Sequence, residues 1–77
     1  ASKIIDEITF ISSYNILIDE KIKRVMDLRM MYPEFNLREL TEQYEALYDE
    51  PISKSGLNHR FAKIKHIAQA LREGSPL

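Results

Sequence analysis

Cysteine and tryptophan are absent from this sequence, glycine occurs twice and proline three times. Without cysteine there is neither a disulfide framework nor a thiolate metal site to hold a small fold together. So few glycines and prolines argue against disorder and against a turn-rich all-β fold. No apolar run approaches the length needed to cross a bilayer. No charged, apolar and small-residue pattern of a secretory leader opens the chain. These features lead us to expect a soluble intracellular, cytoplasmic domain. The opening residue is Ala rather than Met, which leads us to expect a piece of a longer protein.

What is present must do the folding. The 77 residues suffice for one small domain with a thin core, drawn from a 44% apolar fraction rich in Ile and Leu. Net charge is −1, but the charge is not evenly spread. Residues 1–50 carry eleven acids and six bases. The stretch Pro51 to Arg72, PISKSGLNHRFAKIKHIAQALR, carries five bases (Lys54, Arg60, Lys63, Lys65, Arg72), two histidines and no acid. Such an asymmetry is the usual footprint of a polyanion-binding element.

Periodicity predicts four helices and an all-α fold. The first covers about Lys3 to Ser13, with Ser2 as N-cap and Ile4, Ile8 and Ile11 on one face; its β-branched residues make it dependent on a partner. Ser12-Ser13-Tyr14-Asn15 reads as a break. The second covers about Asp19 to Met31. Ile18, Ile22, Val25, Met26, Leu28 and Arg29 form its apolar stripe, Met30 and Met31 its rim, and Pro33 its stop. Arg29 is expected to lay its stem over the core and send its head to an acid. The third starts at the cap Asn36, with Glu39 completing a capping-box pattern. Leu37, Leu40, Tyr44 and Leu47 form its stripe, and it ends near Leu47 or Tyr48. The fourth, about 54–72, follows the cap Ser53 and ends at Gly74 and Pro76. Leu57, Phe61, Ile64, Ala68 and Leu71 make its buried seam.

At about 100° per residue, Ser55, Asn58, His59, Ala62, Lys63 and His66 fall on the half of the fourth helix opposite Leu57. Arg60 lies on one flank; Lys54, Lys65 and Arg72 lie on the other. Basic edges beside small and amide-bearing side chains suit a helix in the DNA major groove. Lysine and arginine neutralise phosphates, and Ser, Asn and His reach base edges. The DNA-binding candidates are Lys54, Ser55, Asn58, His59, Arg60 and Lys63. A helix of this kind also suits docking on an acidic protein partner, and the charge pattern alone leaves both readings open. The connection from the third helix to the fourth, about six residues from Tyr48 to Ser53, is longer than the usual helix-turn-helix corner. The expected fold is a small four-helix domain containing a tri-helical helix-turn-helix with a long turn. Residues 1–17 would be an N-terminal linker helix and residues 18–77 the DNA-binding domain.

No catalytic constellation is visible, and no enzyme, cofactor, membrane or small-molecule substrate is expected. His59 and His66 stand seven apart without a third ligand, and no HExxH pattern occurs. The acids Asp19, Glu20, Glu39, Glu42 and Glu45 fall at exposed or capping places.

The run PISKSGLNHRFAKI resembles the C-terminal helix-turn-helix domain of the WhiA family of bacterial sporulation and cell-division regulators. Pro51, Ser53, Lys54, Ser55, Asn58, His59 and Arg60 carry the resemblance. Leu28, Arg29, Pro33, Leu37, Glu39 and Leu40 fill matching places upstream. The similarity covers about residues 18–67 well and the first helix loosely. Two departures stand out: Ala62 lies where many relatives have a basic residue, and Tyr44 to Glu50 contains no glycine. The resemblance implies a transcriptional regulator of sporulation or cell division that binds double-stranded DNA at the nucleoid. It further implies a separate N-terminal domain like the LAGLIDADG homing endonucleases; RNA polymerase or another regulator is a further expected partner.

Overall fold

The computed structural model describes residues 2–74 and contains four helices, with no strand among the described residues. They are α1 (Ser2–Ser12), α2 (Glu20–Met31), α3 (Leu37–Tyr48) and α4 (Lys54–Arg72). The all-α expectation holds. Ala1 and Pro76, read above as chain start and helix stop, lie outside the described residues.

Helix α1 ends where hydroxyls compete for its last carbonyls. Ser12 Oγ donates to the Ile8 carbonyl at 2.8 Å, and Ser13 Oγ donates to that of Phe10 at 2.6 Å. Such local bonds favour a break over continued helix. The chain then runs without helical structure to Asp19. Ile16 and Ile18 pack against the core, while Leu17 between them is fully exposed, the alternation of an extended segment.

Asp19 is the N-cap of α2 rather than part of its first turn; its carboxylate accepts from the Lys21 N–H at 2.9 Å. Ile22, Val25, Met26, Leu28 and Arg29 are buried on one side. The Arg29 guanidinium does not reach an acid. It donates to the carbonyls of Pro33 and Phe35, the latter at 2.9 Å. The backbone turning away at Pro33 leaves carbonyls without helical partners, and a buried arginine with several donors satisfies them. Arg29 therefore pins the α2–α3 corner, and Tyr32 stacks on Phe35 beside it at 4.5 Å.

The capping box of α3 is complete. The Asn36 side chain accepts from the Glu39 N–H, and the Glu39 carboxylate accepts from the Asn36 N–H, both at 2.9 Å. Leu40 and Tyr44 are buried, but Leu47 is 47% exposed, against the expected stripe. Tyr48 takes its place at the core edge, because α2 lies on that side and puts the Arg24 guanidinium 5.0 Å from the Tyr48 ring centre.

The long turn forms without glycine. Asp49 adopts the left-handed conformation (φ 51°, ψ 39°), and its N–H donates to the Glu45 carbonyl, a geometry that aspartate tolerates better than most residues. Glu50, Pro51 and Ile52 follow, and Ser53 caps α4 by accepting from the Gly56 N–H at 2.9 Å. A Cβ on Gly56 would sit 3.3 Å from Ser53 Oγ and 3.4 Å from Ile52 Cγ1, so the missing side chain lets the turn fold closely onto the helix start.

Helix α4 is the centre of the fold and packs against each of the other three. Leu57, Ile64 and Ala68 are completely buried, while Phe61 and Leu71 pack on the core from partly covered positions. Helix α1 joins the same core through Ile8 and Ile11. Its buried Glu7 accepts from Arg72 Nη1 at 2.6 Å, and the Arg72 guanidinium lies 4.5 Å from the centre of the Phe10 ring. The end of α4 is thereby tied to α1. After Glu73, Gly74 takes a left-handed φ of 72°, as helix-terminating glycines do.

Candidate nucleic-acid interface

The sealed seam of α4 fixes which side chains face outward. Lys54, Ser55, Asn58, His59, Ala62, Lys63, Lys65 and His66 are all exposed. Among the described residues, no side-chain hydrogen bond involves Ser55, Asn58 or His59. Asn58 thus keeps both its donor and its acceptor outside the domain's own bonding. Lys54, Lys63 and Lys65 carry no ion pair among the described residues.

The two arginines of the segment behave differently. Arg72 is held by Glu7, as above. Arg60, expected to face the ligand, folds back over α3. Its Nη1 donates to the Tyr44 hydroxyl at 2.7 Å, its guanidinium lies 5.2 Å from the centre of that ring, and its Nη2 stands 3.8 Å from Glu50 Oε1. Arginine stacks on aromatic faces in this way while its fork engages acceptors.

Glu50 gathers more than Arg60. It accepts from the fully buried Tyr44 hydroxyl at 2.6 Å. Lys21 Nζ lies 3.3 Å from Oε2, and Arg24 Nη1 lies 3.8 Å from Oε1. One carboxylate in the turn thus joins side chains from α2, α3 and α4. The Tyr44 hydrogen bond holds the Glu50 carboxyl below its ordinary 4.5, against an opposing effect of burial and with help from Lys21 and Arg24. For Tyr48 the main influence is burial, which pushes its phenol up, followed by the charge of Asp27.

The sequence reading missed Tyr44, Glu50, Lys21 and Arg24 as parts of this region. One signal was available. A tyrosine at the centre of an apolar stripe needs a partner for its hydroxyl, and Glu50 stands at the start of the following turn. A cleft of about 480 Å³ opens between the start of α2 and the exposed edge of α4. Lys21, Arg60, His59, Lys63 and His66 rim it over a floor that includes Ile22 and Ile67. Among the described residues, no group of three or more His, Asp or Glu could hold a metal ion. Among the described residues, no helix is long and apolar enough to cross a membrane.

The family model for the WhiA C-terminal HTH domain matches residues 1–68. The chain is 46% identical to the "Probable cell division protein WhiA" of Enterococcus faecalis, over 97% of this chain and 24% of that protein. It is 40% identical to the protein of the same name from Lactobacillus acidophilus, over 95% of this chain and 23% of the relative. A Geobacillus relative of that name is 43% identical over 78% of this chain and 18% of its own length. The chain therefore spans about a quarter of the length of the first two relatives, at 24% and 23%. No solved structure matches it. The chain belongs to the WhiA C-terminal helix-turn-helix domain family.

Proposed function

We propose that this domain binds double-stranded DNA, with the N-terminal half of α4 in the major groove, as the DNA-reading part of a bacterial regulator of cell division or sporulation. The observation that carries the reading is the outward set Ser55, Asn58 and His59, free of internal side-chain bonds among the described residues and bordered by Lys54, Lys63 and Lys65, which have no ion pair among them. Asn58 is suited to a bidentate contact with adenine. Ser55 and His59 reach neighbouring base edges. The lysines hold phosphates on the groove walls and set register. Arg60 contributes by fixing how α4 is carried on α3. The role is binding rather than catalysis. The setting is a larger cytoplasmic, nucleoid-associated protein with a LAGLIDADG-like N-terminal domain, acting with RNA polymerase or another regulator.

A duplex titration at two salt concentrations tests this, repeated with Lys54, Lys63 and Lys65 changed to Glu. The wild-type chain is expected to bind in a salt-sensitive way and the reversed chain not to bind. Asn58→Ala should alter base preference by about 1–3 kcal/mol at one position, whereas Lys63→Ala should weaken all sequences alike. A second reading, docking on an acidic protein, is favoured by the apolar floor of the cleft between α2 and α4. It would replace the first if no duplex binds and an acidic partner is held through α4.

A further inference from the structure

The five cations of the α4 segment are only part of the positive charge near the reading face. Lys21 and Arg60 rim the same cleft as His59 and Lys63, yet both are paired with Glu50, as is Arg24. The Glu50 side chain is about one-third exposed, at 32%. It is fixed in place by the hydroxyl of a tyrosine with no exposed surface. Resting on the DNA-binding reading above, we propose that Glu50 is a positioning residue that limits the domain's grip on nucleic acid. It withholds Lys21 from the phosphates beside α4; Arg60 stays on Tyr44 in either case.

The physical argument is one of competition. Lys21, 3.3 Å from the Glu50 carboxylate, forms a pair of little net charge, and only net positive charge displaces the cations condensed on DNA. Neutralising Glu50 removes that competitor. Glutamine keeps an oxygen that can accept from Tyr44, so Glu50→Gln takes away the charge while preserving the bond that holds the turn. Each freed cation that meets a phosphate steepens the logarithmic dependence of affinity on salt by about 0.9. The fall in affinity between 50 and 200 mM salt then grows by about 3.5-fold for each such contact. The gain does not depend on base sequence, because phosphates carry none.

The test is fluorescence-anisotropy titration of this chain with a duplex of arbitrary sequence across 50–200 mM salt, with far-UV circular dichroism confirming that each variant is folded. Glu50→Gln is expected to bind more tightly at low salt and to show the steeper slope. Asp6→Asn, an equal change in net charge on an exposed α1 residue, is expected to keep the wild-type slope. Lys21→Gln provides an arm that does not rely on changing the turn; with Lys21 withheld, it should leave the slope unchanged, whereas Lys63→Gln should lower it by about 0.9. A wild-type slope in folded Glu50→Gln, or a slope reduced by Lys21→Gln, overturns the role of Glu50 and leaves DNA binding standing. A wild-type chain that shows no salt-sensitive duplex binding overturns both.

Discussion

The salt dependence of duplex binding counts the cations that α4 commits to phosphate, and sequence and structure give different counts. The segment from Pro51 to Arg72 contains five Lys and Arg residues. The structure ties Arg60 to Tyr44 and Glu50, and Arg72 to Glu7, leaving Lys54, Lys63 and Lys65. At about 0.9 per phosphate, three contacts give a slope of about −2.7 in log affinity against log salt. A fourfold rise in salt, from 50 to 200 mM, should then weaken binding about 40-fold. Five contacts would give about −4.5 and a loss of about 500-fold. Lys63→Ala should reduce the slope to about −1.8 and the loss to about 12-fold. Anisotropy titration of a labelled duplex at five or so salt concentrations resolves these values easily. A wild-type slope near −4.5 would refute the reasoning, since it would mean that both arginines leave their internal partners on binding.

Other outcomes follow from the same contacts. Tyr44→Phe removes a buried hydroxyl that donates to Glu50 and accepts from Arg60; urea unfolding should show a loss of about 2 kcal/mol, and thermal melting a fall of roughly 8–16 °C. Tyr48→Phe, whose hydroxyl stands 3.5 Å from the Arg24 carbonyl, is beyond good hydrogen-bond range and should cost less than about 0.5 kcal/mol. For acid stability the sign follows from the lowered folded-state value of Glu50. Its contribution is fully present above the ordinary 4.5 and is lost as pH falls through the lower folded value. Acid unfolding monitored by circular dichroism should therefore lose less stability below pH 4.5 in Glu50→Gln than in wild type; an identical acid profile would count against the Glu50 contacts.

Much of the fold is written in short-range pattern. Asn36 and Ser53 cap their helices as their residue types and spacing indicate, because a cap bond spans only three residues and needs no distant partner. The seam Leu57, Ile64 and Ala68 is buried, since α4 must turn one apolar face inward whatever covers it. The same angular reasoning places Ser55, Asn58 and His59 outside. It falls short where two positions on a face are equally suited. Leu47 and Tyr48 both border the α3 stripe, and the approach of α2 and Arg24 decided in favour of Tyr48. Nor does a helical wheel say where a long charged side chain ends. Arg29 reached loop carbonyls rather than an acid.

The sequence by itself determined four helices, the caps Asn36 and Ser53, the inward seam of α4 and the family to which the chain is similar, all of which depend on residues a few positions apart. Tertiary structure alone decided the electrostatics of the interface. Arg72 meets Glu7 across 65 positions and Arg60 meets Tyr44 across 16. Charge acts through space rather than along the chain, so which cations are free for a ligand is settled when the helices pack.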